Sequence, residues 1–369
     1  MDLTIERGAL TAALALPCSV ANPRSTMAAF QAVSLSTAGN KLVVQGLDEQ
    51  MAVTCMAPAS STTPASVAVD GARLKDIVSR LDADRVRIGL QGGRLQLRAG
   101  KRSYLLSTSE YSVREQGGKP GGTLLPAPAL TRVIKQVLFA ACDDWTRPWI
   151  ACVRLRVEGK TLLAMASDGH TAALARVELE EECAALDVSL PKTTAKRLLG
   201  ALGSSGADDV TVLVDGPSGI LTLPGPGGVD TVIVARLNSA EQSPIERMVE
   251  GVPAIRTLVS GLRETLLEGL RSADLSLASG ILMQVVKDGL RLTADGADAA
   301  GELVVPCDVQ DAEGQKPYRE PLRITPKYLE RHLSALDSEE AQFGFSGQLD
   351  PVSVLVGDFR CGLVSPQRL

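Results

Sequence analysis

Apolar residues recur at helical spacing in three twelve-residue segments that align without gaps, Asp70–Leu81, Pro191–Leu202 and Thr325–Leu336. Each segment opens with a residue suited to a helix start and follows a short apolar stretch typical of a strand. Positions i, i+3, i+4 and i+7 form one stripe in each segment. The three stripes are Leu74, Ile77, Val78, Leu81; Ala195, Leu198, Leu199, Leu202; and Leu329, His332, Leu333, Leu336. The spacing predicts the same buried helix face three times.

Strand patterns with glycine-containing turns also repeat along the chain. Matching strands open at Leu42, Leu162 and Leu290, after Gly39, Gly159 and Gly289. The first two openings are 120 residues apart, and the third follows after a further 128. We predict a helix upstream of each strand, over residues 6–16, 127–141 and 256–272. The repeating unit is therefore helix, strands, helix, strands.

Three copies of this unit predict an α+β chain with three similar domains. The length of 369 residues suits two or three domains. We place the boundaries in the glycine-rich 116–122 segment and near 250–253, which gives domains over residues 1–121, 122–250 and 251–369. Chance similarity between strand and helix patterns is the alternative. Three ungapped helix copies with three matching hairpins argue against it.

Composition narrows the possible functions. Hydrophobic residues make up 45% of the chain, which excludes a disordered protein, and aromatics at 3% argue against stacking platforms for single strands. Seven scattered cysteines without C-x-x-C spacing indicate reduced thiols, and two histidines exclude a His-rich metal centre, so we predict no cofactor. The apolar stretch at 8–16 is too short to span a bilayer and follows Asp2 and Glu6, so we expect a cytoplasmic location.

Positive charge collects on the predicted helices although the formal net charge of the chain is −5. The six helices carry 14 Lys and Arg against 6 Asp and Glu, so they hold +8 and the remaining residues hold −13. A surface built from these helices would attract a phosphate backbone without reading its sequence. Ordinary solvated helix faces are the alternative explanation.

Two short motifs resemble catalytic or nucleotide-binding sequences. Residues 159–161 (Gly-Lys-Thr) match the end of a phosphate-binding loop, but Arg154 stands where that loop requires glycine. Residues 167–170 (Ser-Asp-Gly-His) offer a hydroxyl, a carboxylate and an imidazole, yet neighbours in a turn rarely reach triad geometry. We interpret both as turns. An enzyme built around His170 is the alternative of a different class, and the absence of a convergent acid, base and nucleophile argues against it.

The 166–170 segment (Ala-Ser-Asp-Gly-His), the threefold repeat and the ending 365–369 (Ser-Pro-Gln-Arg-Leu) together resemble one family, the bacterial β sliding clamps. These are the processivity subunits of DNA polymerase III. The resemblance implies a head-to-tail homodimeric ring of six similar domains, with helices lining the interior, antiparallel sheets outside and duplex DNA passing through. It implies a non-catalytic protein that tethers DNA polymerase III, other polymerases, the clamp loader and repair factors. Those partners insert short linear motifs between the second and third domains.

Carrying the family's partner-peptide pocket over by position gives a set of residues from the second and third domains. They are Ile150, Ser167, Gly169, His170, Thr171, Ala172, Pro244, Met248, Val249, Ala278, Thr325, Tyr328, Pro351, Ser353, Leu363, Val364, Ser365, Pro366, Gln367, Arg368 and Leu369. The pattern departs from the family at several of these. Thr171 and Ala172 stand where Arg-Leu is usual, Ala278 replaces a common aromatic, Gln367 a common Met, and Met248 a frequent Arg. We expect a wider, less basic pocket. A paralogous clamp serving a specialised polymerase or repair partner is the alternative function.

The resemblance and the helix charge together select side chains expected to face DNA. They are Arg24, Arg73, Arg80, Arg132, Lys135, Arg147, Lys192, Lys196 and Arg197. Trp145 and Trp149 flank Arg147 in the loop that touches DNA in relatives, with packing around that loop as the alternative. For the ring, we expect domain 1 of one protomer against domain 3 of its partner, with Lys101 or Arg102 facing Glu302.

Overall fold

A computed structural model describes residues 1–109, 121–224, 228–239, 244–273, 280–295 and 300–367. Its helices are α1 Arg7–Val20, α2 Ala28–Gln31, α3 Gly71–Ser79, α4 Ala127–Val137, α5 Lys192–Ser205, α6 Ile245–Glu250, α7 Arg263–Ala273 and α8 Pro326–Ala335, and a 3₁₀ turn follows α4 at Leu138–Ala140. Its strands are β1 Asp2–Glu6, β2 Ala32–Ala38, β3 Lys41–Leu47, β4 Met51–Pro58, β5 Ser60–Thr63, β6 Ser66–Asp70, β7 Arg85–Gln91, β8 Arg94–Ala99, β9 Arg102–Leu106, β10 Thr108–Ser109, β11 Thr123–Pro126, β12 Cys152–Glu158, β13 Thr161–Ser167, β14 Thr171–Glu178, β15 Leu186–Pro191, β16 Asp209–Asp215, β17 Ser218–Leu223, β18 Asp230–Arg236, β19 Thr257–Leu262, β20 Ile281–Val286, β21 Gly289–Asp295, β22 Ala300–Pro306, β23 Asp308–Asp311, β24 Leu322–Ile324, β25 Glu340–Phe345, β26 Val352–Val356 and β27 Phe359–Val364.

The three aligned segments are the helices α3, α5 and α8, and each follows a strand as predicted. Their starts have local causes. The Asp70 carboxylate accepts the backbone N–H of Arg73 at 3.0 Å and so caps α3, while Pro326 occupies the first turn of α8. Three of the four members of each predicted stripe are buried, with Leu74, Leu198 and Leu329 at 0% exposure. The remaining members, Ile77, Leu199 and Leu336, are half-buried. The helical spacing therefore identified the packed face of each helix.

The predicted helix over residues 256–272 is wrong at its start. Residues 257–262 form β19, which pairs antiparallel with both β23 and β25, and α7 begins only at Arg263. Two-sided strand pairing overrides the local helical spacing here. The first helix also differs, since α1 runs on to Val20 past Pro17. It packs so closely on β3 that a Cβ at Gly46 would lie 2.1 Å from the Pro17 carbonyl oxygen.

The first two predicted hairpins turn at Gly39 and Gly159, with φ of 55° and 58°, the left-handed region that favours glycine. In the third hairpin the turn lies between β20 and β21, and Gly289 is the first residue of the second strand. A Cβ at Gly289 would lie 2.0 Å from the Val305 carbonyl oxygen, so close strand approach requires this glycine.

The described residues form two compact units. Unit 1 comprises Met1–Thr131, Val157–Lys160 and Glu180–Ser239. It holds one antiparallel sheet in the order β5-β1-β7-β8-β9 and a second in the order β10-β6-β2-β3-β4-β18-β17-β16-β11. The second sheet is continuous because β4 pairs with β18 through six residue pairs, from Met51↔Ala235 to Met56↔Asp230. We call this strand pair the first junction, since it joins the first repeat to the second.

Unit 2 comprises Arg132–Arg156, Thr161–Leu179 and Ala240–Leu369. Strands β13-β14-β27-β26-β25-β19-β23 are consecutive in one sheet, and β22-β21-β20-β24 form another. Three residue pairs, Thr171↔Val364 to Ala173↔Gly362, join β14 to β27, and we call this pair the second junction. Helices α7 and α8 pack over a core that includes Leu266, Phe343 and Val354, each at most 2% exposed. Each unit contains one of the two junctions, so the division into units does not coincide with the three repeats. The three-domain boundaries stay a prediction.

A separate apolar cluster lies beside the second junction. Its buried members are Met165, Ala172, Leu174, Ile245 and Leu363, and half-buried Leu163, Val249, Val252 and Phe359 pack against it. We call it the junction cluster. It brings β13, β14, β27 and α6 together, so segments far apart in sequence form one surface there.

Candidate functional site

The Ser167–His170 turn joins β13 to β14 and is fixed by its own side chains. Ser167 Oγ donates to the Thr171 carbonyl oxygen at 2.8 Å, and the Asp168 carboxylate accepts the N–H of His170 at 2.8 Å and of Thr171 at 2.9 Å. Gly169 takes a φ of 93°, which favours glycine. We call this segment the SDGH turn. Its hydroxyl and carboxylate are engaged with the backbone, so the interpretation as a turn is confirmed.

Residues 365–367, the described part of the C-terminal tail (365–369), continue from β27 and lie beside this turn. The Ser365 N–H donates to the His170 carbonyl oxygen at 2.9 Å. The Gln367 N–H donates to the Arg323 carbonyl at 2.8 Å, and its Nε2 donates to Thr325 Oγ1 at 2.9 Å. The described part of the tail therefore lies between the SDGH turn and the start of α8.

Helix α8 meets the SDGH turn with two rings that lie one helical turn apart. The Tyr328 ring stacks on the His170 ring, with centroids 6.2 Å apart and planes at 24°. His332 Nε2 lies 2.8 Å from Thr171 Oγ1, and the Thr171 hydroxyl donates to the Leu363 carbonyl at 2.9 Å. With the Thr171 hydroxyl donating to the Leu363 carbonyl, the tautomer of His332 that completes this arrangement carries its proton on Nε2 and donates to Thr171. One face of α8 thus contacts two consecutive residues, His170 and Thr171.

His332 is almost fully buried. Its exposure is 2%, and the Phe139 ring meets it edge-on with centroids 4.8 Å apart. Burial lowers the pKa of His332 to about 3, and a hydrogen bond with the Leu363 backbone opposes this shift only partly. A Cβ at Gly362 would lie 2.2 Å from His332 Cε1, so the imidazole packs directly on glycine backbone. The ring is neutral at physiological pH.

The short helix α6 forms another side of the site. Its Glu246 accepts from Arg156 Nη1 at 2.9 and 3.1 Å, and Arg154 Nη1 lies 3.8 Å away. Arg360 Nη1 donates to the Val249 carbonyl at 2.8 Å, and burial lowers the Arg360 pKa. Three arginines therefore anchor α6, whose Ile245 packs in the junction cluster.

The structure brings the predicted pocket residues of the SDGH turn, β27, the tail, α6 and the start of α8 into one region. The exposed members are Gly169, His170, Pro244, Met248 and Ser365; the half-buried ones are Val249, Thr325, Tyr328, Pro351, Pro366 and Gln367; the buried ones are Ile150, Ser167, Thr171, Ala172, Ser353, Leu363 and Val364. Ala278, Arg368 and Leu369 lie outside the described residues. Thr171 is 3% exposed and its hydroxyl bonds within the core, and the wider, less basic pocket stays a prediction.

The side chains expected to face DNA differ in their environment. Several form ion pairs within the chain: Arg73 with Asp70 at 3.4 Å, Arg80 with Asp76 at 2.8 Å, Arg132 with Asp337 at 2.9 Å, and Arg197 with Asp48. Arg24, Lys135, Arg147 and Lys196 are exposed, and Lys192 is half-buried. The exposed group is the better placed for contact with an external polyanion.

The loop of residues 142–150 presents two tryptophans. The Asp144 carboxylate accepts from Thr146 Oγ1 at 2.6 Å and from the Thr146 N–H at 3.0 Å, which lowers the Asp144 pKa. Backbone bonding of Cys142 N–H to the Ile150 carbonyl at 2.9 Å closes the loop. Trp145 is 81% exposed and Trp149 44% exposed, so packing does not explain Trp145.

Two further features of the described residues concern metal sites and membrane-spanning helices. They contain no group of three or more His, Cys, Asp or Glu arranged to hold a metal ion. None of the helices in the described ranges has the length and apolar character needed to cross a bilayer.

Comparison with known proteins shows the family to which this chain belongs. The N-terminal domain of the DNA polymerase III beta subunit matches residues 1–115, and its central domain matches residues 124–221, together more than half of the chain. This chain belongs to the DNA polymerase III beta subunit family. The resemblance inferred from the SDGH turn, the repeats and the tail is thereby confirmed. Members of this family are non-catalytic sliding-clamp subunits of DNA polymerase III.

Individual relatives agree with this beta subunit assignment. The beta sliding clamp of Micrococcus luteus is 24% identical over 325 residues, covering 84% of this chain and 100% of that protein. The beta sliding clamp of Pseudomonas aeruginosa is 28% identical over 185 residues, covering 49% of this chain and 50% of that protein.

Solved structures show the fold. The DNA polymerase sliding clamp of Bacillus subtilis aligns with a TM-score of 0.89 at 18% identity, covering 100% of this chain and 99% of the other. A Pseudomonas aeruginosa clamp bound to griselimycin aligns with a TM-score of 0.86 at 23% identity, covering 100% of both chains. The predicted α+β clamp fold with antiparallel sheets is confirmed.

Sequence reasoning missed two groups of residues at this site. Glu246 with Arg154 and Arg156 was not singled out, and its only sequence signal is alternating charge on β12. His332 was assigned to a helix stripe alone. Its signal was available, because it is the one imidazole in stripes that are otherwise apolar.

Proposed function

We propose that this beta subunit closes as a homodimer around duplex DNA and tethers the replicative polymerase and other factors through the site at the second junction. The observation that carries the tethering role is the meeting of the SDGH turn, the tail, α6 and α8. Met248 on α6 is exposed, and His170 of the SDGH turn stacks on Tyr328 of α8. An inserted Leu or Phe side chain would gain about 1.5–3 kcal/mol from full burial against such groups.

Ring closure is supported by the edges of two sheets. Strand β9 ends one sheet of unit 1 and β22 ends one sheet of unit 2, and neither pairs on its outer side with another described strand. Leu105 on β9 is 49% exposed, and Leu303 and Val304 on β22 are 37% and 42% exposed. Exposed apolar edges favour pairing with another chain. Antiparallel pairing of β9 with the β22 of a second copy would repeat the two junctions within the chain.

The charges expected at this interface already have partners. Arg102 Nη2 lies 3.2 Å from Asp82, and Glu302 lies 3.4 Å from Arg291 Nε. Lys101 is exposed and is the better candidate to face Glu302 in a partner. We therefore place most of the interface stability in the exposed leucines and valine and in the backbone pairing.

The role of DNA binding is supported by charge. The six long helices carry twelve Lys and Arg against four Asp and Glu, a net +8, although the whole chain is at −5. Contact with three or four phosphates would give a slope of about −3 for log K against log salt. Binding would be independent of base sequence, since phosphate contacts carry no sequence information.

The specialised paralogue is the second candidate function. The observation that favours it is Thr171, whose 3% exposure leaves no charged side chain at a position where the family usually has Arg. Such a site would select a divergent motif in its partner.

The proposed function also includes two predictions from the sequence. The chain divides into three domains at 121/122 and 250/251, and its location is cytoplasmic.

Retention on DNA tests the ring directly. The clamp should stay on a circular plasmid and slide off the same plasmid after linearisation, and it should sediment as a dimer at micromolar concentration. Arg24→Glu with Lys196→Glu should reduce retention, whereas Lys287→Glu with Lys316→Glu, the same charge change at exposed residues outside the helices, should leave it unchanged. Equal retention on circular and linear DNA would refute the encircling role.

A further inference from the structure

The repeats provide an internal comparison for the buried histidine. His332 is the second member of its helix stripe, and the same place is held by Ile77 in α3 and Leu198 in α5. Aliphatic side chains therefore suffice for packing at this position. An imidazole buried there loses its hydration, so its retention needs a compensating contact.

The residue that supplies this contact also departs from its counterpart. With the 120-residue offset between the first two repeats, Thr171 corresponds to Met51, which is 3% exposed. The first junction thus has the apolar residues Met51 and Leu198 where the second has Thr171 and His332. The two polar replacements bond to each other at 2.8 Å.

The hydrogen bonds of this pair reach both chain segments that form the site. Thr171 directly follows the SDGH turn and donates to the Leu363 carbonyl, two residues before the tail begins. His332 lies one helical turn after Tyr328, which stacks on His170. A shift of the imidazole would therefore be transmitted to the SDGH turn, to β27 and to α8.

We propose that His332 is a positioning residue for partner binding, which holds Thr171 so that the SDGH turn and the tail keep the arrangement that a partner peptide meets. The role rests on the proposed function of this site. His332 itself is buried and touches no partner. Its effect is on the preorganisation of the groups that do, which governs affinity without adding a contact.

The test measures binding of a fluorescein-labelled peptide, Glu-Leu-Ser-Leu-Phe, to the full chain by anisotropy, together with thermal stability. His332→Leu and the double variant Thr171→Met with His332→Leu give the second junction the residues of the first. We expect both to retain or raise the melting temperature and to weaken peptide binding about three- to tenfold, the range of one lost hydrogen bond. His332→Gln keeps a side-chain N–H donor and should bind within about twofold of the unchanged chain.

Leu198→Val at the first junction is the matched control, which should lower the melting temperature and leave peptide affinity unchanged. Because the chain has two histidines, the NMR signal of a slowly exchanging imidazole N–H can be assigned by its loss in His332→Leu. Should His332→Leu not fold, Thr171→Val replaces it, since it removes the same hydrogen bond.

The outcomes separate the two proposals. If the unchanged chain does not bind the peptide, tethering through an inserted Leu and Phe motif is refuted, and the positioning role with it. If the unchanged chain binds and His332→Leu binds equally well, the positioning role alone is refuted. A loss in His332→Leu that Leu198→Val reproduces would assign the effect to general stability and also refute the positioning role.

Discussion

The two junctions within the chain share one backbone plan. At the first junction the Asp48 carboxylate accepts the N–H of Gln50 at 2.8 Å and of Met51 at 2.9 Å, as Asp168 does in the SDGH turn. The Arg236 N–H donates to the Gln50 carbonyl at 2.8 Å, as Ser365 does to His170. A turn of one repeat is therefore held by the end of the last strand of the next repeat at both places.

The junctions differ in how they are closed. The first has six residue pairs between its strands, and α5 covers its turn through Arg197 with Asp48 and Thr193 with Gln50. The second has three residue pairs between its strands, and its turn meets aromatic and imidazole rings of α8. The same scaffold thus gives a closed structural joint in one place and an open surface with exposed His170 in the other. Side chains, not backbone topology, make the second junction a candidate binding site.

The largest effect should come from truncating one core residue at each junction. Ile233→Ala on β18 and Leu363→Ala on β27 should each lower the free energy of unfolding by about 2–5 kcal/mol, since both side chains are buried. Only Leu363→Ala should also weaken peptide binding. Urea unfolding and anisotropy distinguish the two effects. Loss of binding in Ile233→Ala would mean that the junctions do not act separately.

Acid should affect the second junction next most strongly. The pKa of His332 is lowered from 6.5 to about 3. Between these two values the imidazole is protonated in the unfolded chain and neutral in the folded chain. Stability is therefore complete above about pH 6.5 and is lost as pH falls towards 3, by about 1.4 kcal/mol per pH unit. Urea unfolding at pH 7.5 and at pH 5.5 should differ by about 1.4 kcal/mol in total, because the full slope applies only below the unfolded pKa, and His332→Leu should remove this difference.

Other charged and titratable groups lie near the His332 imidazole. Arg132, Arg176, Asp337 and Cys361 line the same cavity of about 300 Å³. Burial raises the pKa of Cys361 to about 12, so its thiol stays protonated in this pH range. An identical pH slope in His332→Leu would assign the acid sensitivity to other groups.

Removal of residues 366–369 should have a smaller and more local effect. It eliminates both Gln367 hydrogen bonds and one side of the site, so peptide affinity should fall about tenfold, or 1.4 kcal/mol. The three residue pairs between β14 and β27 remain, so the melting temperature should change little. Gln367→Ala is the intermediate variant. Unchanged peptide affinity in the truncated, folded chain would show that the tail is not part of the site.

The smallest effects concern the ion pairs that bridge the repeats. Arg197 and Asp48 are 30% and 19% exposed, whereas Arg132 and Asp337 are 56% and 52% exposed. Asp48→Asn should cost about 1 kcal/mol of unfolding free energy, and Asp337→Asn less than about 0.5 kcal/mol. Chemical denaturation in low and high salt measures both. The reverse order would mean that the second junction is the more tightly closed one.

Much of this comparison was predictable from the chain itself. The helix stripes and the 120-residue step depend on local spacing, and they identified α3, α5, α8 and the first two hairpins. The SDGH turn was interpreted correctly because Asp and Gly have local conformational preferences. Strand β19 was missed because its pairing with β23 and β25 is a long-range contact that local spacing does not contain.

The orientation of Thr171 could not be predicted for a related reason. A threonine after a turn fits either face of a strand, and the choice depends on His332, which lies 161 residues away. Position in the family pattern placed Thr171 in the pocket wall, but its hydroxyl is committed to the core. Helical spacing placed His332 in the core but gave no reason for an imidazole there.

Gly362 adds a historical constraint to the second junction. Any side chain at this position would meet the imidazole at 2.2 Å, so the histidine is compatible only with glycine there. A lineage could acquire His332 only while residue 362 was already glycine, and could replace that glycine only after giving the histidine up. Gly362→Ala should therefore be harmful in the present chain and neutral in a His332→Ala background. The order in which descendants of this chain can mutate is fixed by a gap too small for one methyl group.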